Sequence, residues 1–169
     1  MKNILLATAC ACCICLLAAC NKNDDKTTLV NTRLTDDPCQ CQQVNLEIEE
    51  IQVKLSDDTT DWIALNTNDG IYDLLLYQNG VDTLLATGFV PVDLQLKEVR
   101  FILGDENTVM VDSTIYPLET PSAQSSGLKV KIDKDLDFDV NTFVLDFDAG
   151  ESVKEQNGKY KLEPVIKLK

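Results

Sequence analysis

The sequence has no histidine. Without one, Ser-His-Asp and Cys-His nucleophilic sites, His-ligated zinc and the usual general base near neutral pH are all excluded. A hydrolase working through two carboxylates remains chemically open. Nothing in the spacing marks out such a pair among the 28 acidic residues, so no catalytic residue is assigned. Basic charge is also scarce: 15 Lys and Arg against 28 acids give a formal net charge of −13, with no basic cluster anywhere. Nucleic acid is therefore not expected as a partner, because Lys and Arg contacts to phosphate supply most of that affinity. Anionic lipid headgroups would be repelled as well, while self-repulsion favours solubility. Long apolar runs are missing too. The uncharged stretch from Ile4 to Ala19 falls short of the roughly 20 residues that span a bilayer, and Lys22, Asp24 and Asp25 follow at once.

That stretch has a different character. Met1 and Lys2 give a positive start, Leu5, Leu6, Ile14, Leu16 and Leu17 an apolar middle, and Ala18 and Ala19 a small-residue end. This is a secretory signal. Its last four residues, Leu17-Ala18-Ala19-Cys20, resemble the lipobox of bacterial lipoproteins. The resemblance implies cleavage before Cys20, recognition by the signal peptidase through Leu17, Ala18 and Ala19, a diacylglycerol on the Cys20 thiol and an N-acyl chain on its new amino group. Two or more acyl chains, at about 0.8 kcal/mol per buried methylene, make the anchoring effectively permanent. The expected organisation is a signal peptide over 1–19, a lipidated cysteine and flexible tether over 20–27, and one domain over 28–169. Cleavage removes one cation and no acid, so the mature chain is one unit more negative.

Of seven cysteines, Cys10, Cys12, Cys13 and Cys15 leave with the signal. Once Cys20 carries lipid, Cys39 and Cys41 are the remaining pair, either free or bridged locally in a small strained ring. A metal role would need further ligands, and no metal site is assigned.

From Thr27 onward the period is two, with turn residues at regular intervals, the pattern of short strands in an all-β domain. Val44, Leu46 and Ile48 alternate, Glu49-Glu50 intervenes, and Ile51, Val53 and Leu55 resume on the opposite parity. One inserted residue is what a β-bulge supplies, keeping both halves of a long strand on the same core. Leu74 to Leu76, ahead of Asn79-Gly80, fits a hairpin or a short helical turn. Val109 and Val111 lead through Asp112-Ser113 to Ile115 as a tight hairpin. Leu128, Val130 and Ile132, then Phe143, Leu145 and Phe147, mark further strands, and Tyr160, Leu162, Ile166 and Leu168 follow the Asn157-Gly158 turn. Eight or nine such strands with no convincing amphipathic helix predict a two-sheet antiparallel β-sandwich. Parallel strands would need helical crossovers, for which the sequence has no room.

The order of several segments is recognisable. Asp36-Asp37-Pro38 with Val44-Asn45-Leu46-Glu47-Ile48, Tyr72-Asp73-Leu74-Leu75 with Gln78-Asn79-Gly80, and Arg100-Phe101-Ile102-Leu103-Gly104-Asp105-Glu106-Asn107-Thr108-Val109 resemble the domain of unknown function numbered 4382. So do Tyr116-Pro117-Leu118-Glu119-Thr120-Pro121-Ser122 through Ser126-Gly127-Leu128-Lys129, Leu145-Asp146-Phe147-Asp148-Ala149, and Lys159-Tyr160-Lys161-Leu162-Glu163-Pro164-Val165-Ile166. The resemblance implies a β-sandwich of the transthyretin or immunoglobulin-like kind, carried largely by lipoproteins, with no established activity. The chain departs from the family pattern near Cys39 and Cys41 and around Phe89 to Leu96. Cys20-Asn21-Lys22-Asn23-Asp24-Asp25 looks like the acidic signal that sends Bacteroidetes lipoproteins to the outer face of the outer membrane. The periplasmic face is the alternative.

Three candidate sites stand out. Asp133, Asp135, Asp137 and Asp139 would share one face of a strand, as a calcium site or as a solvated surface. Gly104 to Thr108 and Pro121 to Ser126 are polar loops, either a ligand-binding rim or turn chemistry. Trp62, Tyr72 and Tyr77 stack on sugar rings if exposed, and belong to the core otherwise. The expected function is a non-catalytic, membrane-anchored surface binding or adhesion module for a carbohydrate or protein ligand, without a cofactor beyond the lipid. The alternative is a structural or accessory lipoprotein of an outer-membrane or cell-surface assembly.

Overall fold

In a computed structural model of the chain, residues 26–37, 41–57, 61–121 and 126–169 are described. They form an all-β sandwich. Sheet A has the order β14 (Ile166–Leu168), β11 (Val140–Phe147), β1 (Thr27–Asp36), β6 (Thr83–Pro91), β4 (Asn66–Thr67). Sheet B runs β10 (Leu128–Lys134), β7 (Leu96–Leu103), β2 (Gln43–Leu55), β8 (Thr108–Val111), β9 (Thr114–Glu119), β13 (Lys159–Leu162), β12 (Val153–Gln156). Two short strands, β3 (Ile63–Ala64) and β5 (Gly70–Asp73), also pair with β2.

The alternation written in the sequence becomes the core. In β2, Val44, Leu46 and Ile48 are buried, Glu49 is exposed, and Ile51, Val53 and Leu55 are buried again. The ladder with β7 slips between Ile48 and Glu50. Glu49 is thus the bulge residue, and both halves of β2 face inward. Opposite them, β11 buries Phe143, Leu145 and Phe147, and β1 buries Val30 and Leu34. Each such side chain contributes about 1.5–3 kcal/mol when fully buried. Leu74–Tyr77 resolves the hairpin-or-helix ambiguity as a 3-10 turn, capped by the Asp73 carboxylate accepting from the Leu75 N–H.

One expectation needs correcting. The sheets are mixed, because β1 pairs with β11 in parallel over Leu29 to Asp36, and β13 pairs with β9 in parallel. A parallel pair needs a crossover that passes through another layer. Here sheet B itself is that layer, since most of it is built by the chain between β1 and β11, so no helix is required.

The ends of the sandwich differ. Where β1 begins, β6 ends alongside it, with Thr27 opposite Pro91, and the connection from β10 enters β11 at Val140. This is the entry end. At the far end lie the 3-10 turn, the β8–β9 hairpin and the β12–β13 hairpin. Asp112 and Ser113 both hold positive φ, 47° and 62°, in the β8–β9 turn. That is the conformation where a non-glycine residue is strained and glycine is not. Ser113→Gly is expected to stabilise the domain by about 0.5–1 kcal/mol. A urea midpoint that falls would show that the hydroxyl contributes more than the backbone strain.

Candidate binding site

The β8–β9 hairpin delivers Tyr116 to the far end of sheet B, opposite Val109. The β12–β13 hairpin delivers Tyr160, whose backbone pairs with Leu118 while Lys161 pairs with Glu119. Turn chemistry fixes this second hairpin: Asn157 and Gly158 both take left-handed φ, the usual two-residue solution between antiparallel strands. The parallel junction thereby sets the two rings 5.0 Å apart between centroids, tilted at 50°. At that separation the rings pack on each other, and a pocket of about 270 Å³ opens beside the pair, lined by Tyr116, Pro117, Glu119, Gly158, Lys159 and Tyr160. Lys159 Nζ lies 3.4 Å from Glu119 Oε1 on the rim. Partial burial, and then neighbouring charge led by the Glu155 carboxylate, hold the Tyr160 phenol above its ordinary pKa, so its hydroxyl stays a donor. Apolar ring faces bordered by an ammonium and a carboxylate suit a ligand that is apolar on one face and hydroxylated at its edge.

The family model described as domain of unknown function (DUF4382) matches residues 27–164. The chain belongs to this family. No curated protein and no solved structure matches it. In the DUF4382 domain the match runs from the first residue of β1 to just before β14, so it takes in both hairpins of the tyrosine pocket.

The other candidates fall out differently. In the DUF4382 domain Gly104 to Thr108 is a structural bulge joining β7 to β8. Glu47 is gripped from three sides there: Gly104 N–H donates to its carbonyl at 3.0 Å, Glu106 N–H to its carboxylate at 2.8 Å, and its own N–H donates to Asn107 Oδ1 at 2.9 Å. The four aspartates do not share a strand face. β10 ends at Lys134, Asp133 turns the backbone with φ 49°, and Asp135 to Asp139 form a connection. Asp133 pairs with Lys97 at 3.1 Å and Asp135 accepts from Gln95 at 2.6 Å. The apolar residues between the acids break the alternation, because Leu136 is buried while Phe138 is exposed. Among the described residues no group of three or more His, Cys, Asp or Glu side chains is placed to hold a metal ion.

The aromatic trio is dispersed. Trp62 is half-buried with the Arg100 guanidinium 4.2 Å from its ring centroid and Lys129 Nζ at 5.8 Å, so cations already cover it. Tyr72 and Tyr77 pack on each other, 6.2 Å apart, and on the core, and the Tyr72 hydroxyl donates to the Asn68 carbonyl. Cys41 is disulfide-bonded. Cys39, Cys20, Leu17, Ala18, Ala19 and most of Pro121 to Ser126 lie outside the described residues. Tyr116 and Tyr160 also pack on each other and against the core, but they line a pocket as well; they sit inside two of the family-like segments, and only the parallel pairing of β9 with β13 brings them together.

Proposed function

We propose that this chain is a cell-envelope lipoprotein, cut before Cys20 and anchored by a diacylglycerol and an N-acyl chain there. Its DUF4382 domain is a non-catalytic binding module facing the cell surface from the outer membrane. The ligand is a carbohydrate, held in the pocket against the paired rings of Tyr116 and Tyr160. The observation that carries this reading is the position of the tyrosine pocket at the end of the sandwich opposite the chain's entry, facing away from an N-terminal anchor. Lipidation rests on the lipobox-like Leu17-Ala18-Ala19-Cys20 and the signal before it.

The alternative, an accessory subunit of an envelope assembly, would be favoured by an uncovered apolar edge strand. The described edges are poor templates. β4 and β14 have two and three residues, β10 exposes Lys129, Lys131 and Lys134, and β12 exposes Lys154 and Glu155. Short or charged edges resist pairing with another chain.

A glycan array probed with the mature domain tests the binding reading. A positive glycan is expected to lose about tenfold in affinity with Tyr116→Ala and again with Tyr160→Ala, about 1.4 kcal/mol each. Both rings are at least partly exposed, so a retained far-UV spectrum separates lost binding from lost fold. A blank array, or unchanged affinity in both variants, overturns the assignment.

A further inference from the structure

At the entry end, the outer face of sheet A carries an apolar row that the core does not use. Leu29 in β1 lies opposite Phe89 in β6 on one side and opposite Val140 in β11 on the other. Directly opposed residues on adjacent strands point to the same face, so the three side chains form one band across three strands. Phe89 is 71% exposed and Val140 53%. Phe138, 67% exposed, stands beside Val140 at the tip of the β10–β11 connection. That tip is held in shape: buried Asn141 accepts from the Asp137 N–H at 2.9 Å, donates to the Asp137 carbonyl at 3.0 Å, and donates to Thr28 Oγ1 at 2.9 Å. The next outward row inward from this end is Asn31, Thr87 and Thr142, with Thr87 Oγ1 donating to Asn31 Oδ1 at 2.8 Å. The apolar character therefore stops within one row. Two large exposed aromatics on rigid supports, confined to one end, make a contact surface.

The chain itself identifies what covers it. Lys26 precedes β1 and is fastened at the same end, its carbonyl accepting from the Val92 N–H at 3.0 Å and its Nζ lying 5.4 Å from the Phe138 ring centroid. Cys20 is six residues earlier. Even fully extended, that length spans roughly 20 Å. If Cys20 bears lipid, Phe89 and Phe138 are never far from the bilayer surface. We infer that Phe89, Phe138, Val140 and Leu29 rest on the headgroup boundary of the anchoring membrane, a second, non-covalent contact that fixes the domain upright. Aromatic rings with a neighbouring lysine are suited to that interface. Asp93, Asp137 and Asp139 flank the patch, so the lipid it fits is zwitterionic, since anionic headgroups would be repelled by the aspartates. This rests on the lipoprotein reading of the preceding section, and it adds orientation: with the patch down, the tyrosine pocket points outward.

The test uses the mature lipidated chain in phosphatidylcholine vesicles containing brominated acyl chains, which quench tryptophan fluorescence by contact. With Trp62→Phe as background, Phe89→Trp and Phe138→Trp are expected to be quenched by at least half. Leu76→Trp, an exposed site at the far end (66%), is expected to be untouched. Phosphatidylglycerol in place of phosphatidylcholine is expected to weaken the quenching. Mass spectrometry of the same sample reads lipid on Cys20. An unlipidated chain overturns the anchor on which the inference rests. A lipidated chain with Phe89→Trp and Phe138→Trp unquenched, or with Leu76→Trp quenched equally, overturns the orientation while leaving the anchor standing. A concentration-dependent dimer that shields the patch assigns it to a second copy and also overturns the inference.

Discussion

Asn107→Ala is expected to lower folding stability by about 3 kcal/mol and the melting temperature by roughly 10 °C. Asn107 is only 3% exposed, and its amide is the bracket of the bulge between β7 and β8. Nδ2 donates to the Gly104 carbonyl at 2.7 Å and Oδ1 accepts from the Glu47 N–H at 2.9 Å. Its own carbonyl accepts from Leu118 N–H at 2.9 Å, which ties the bulge to β9. On this edge β2 has no ladder partner here, because its pairing passes from Leu103 at Ile48 to Thr108 at Asn45, while β5 covers the other edge. Truncation leaves a buried donor and a buried acceptor unpaired, and each costs about 1–3 kcal/mol. Asn107→Asp sharpens the test. It keeps the acceptor for Glu47, loses the donor, and sets a carboxylate against the Gly104 carbonyl, so it is expected to be at least as damaging at neutral pH and to recover on acidification. Chemical denaturation followed by circular dichroism measures both. A loss below about 1 kcal/mol for Asn107→Ala would mean that water replaces the amide and that the bulge holds itself.

This bulge illustrates what was legible and what was not. The alternation in β2, its slip at Glu49, the inward residues of β10 and β11 and the turns at Asn79-Gly80, Asp112-Ser113 and Asn157-Gly158 are all local patterns. Each depends on the two-residue period or on the dihedral demands of a turn, so each can be read from neighbouring residues. The polar Gly104 to Thr108 segment is likewise explained by backbone demand. The parallel register of β1 with β11 is not local. Nothing within Thr27 to Asp36 specifies that Leu29 meets Val140. For the same reason the pairing of β9 with β13, and with it the tyrosine pocket, was invisible, whereas Trp62, Tyr72 and Tyr77 drew attention as aromatics and went to cation stacking and core. The aspartate run misled because alternation is necessary for a strand but does not prevent one from ending. A positive φ at Asp133 breaks the alternation where the register with β7 slips, and β10 ends one residue later at Lys134.

Acidification from pH 7 toward pH 4 is expected to stabilise this domain partly through one residue, Asp36, and Asp36→Asn is expected to abolish that part. Asp36 closes β1 and is 1% exposed. Its Oδ1 accepts from the Ala149 N–H at 2.8 Å and its Oδ2 from Gln78 Nε2 at 2.8 Å. Desolvation is the strongest influence on it. The two hydrogen bonds oppose that influence and the nearby Asp148 and Asp146 reinforce it, so that the carboxyl is pushed up to about 6. An aspartate in the unfolded chain titrates near 3.9. Between these values the folded protein holds a proton that the unfolded chain releases, and stability falls as pH rises through the window. The contribution is fully present below about pH 4 and is lost above about pH 6. A separation of about two units corresponds to roughly 2–3 kcal/mol. The asparagine is neutral throughout, and its Oδ1 still accepts from Ala149. Gln78 must turn its amide to accept from the new Nδ2, giving up its donation to the Asp37 carbonyl, so the gain at pH 7 is expected to be smaller, about 1–2 kcal/mol. Urea midpoints of the two forms should therefore cross between about pH 4 and pH 6, the wild type being the more stable near pH 4 by about 1 kcal/mol, the cost of the lost Gln78 bond, and the variant the more stable above pH 6. Parallel curves across that range would show that Asp36 keeps an ordinary affinity for its proton and that burial does not control it.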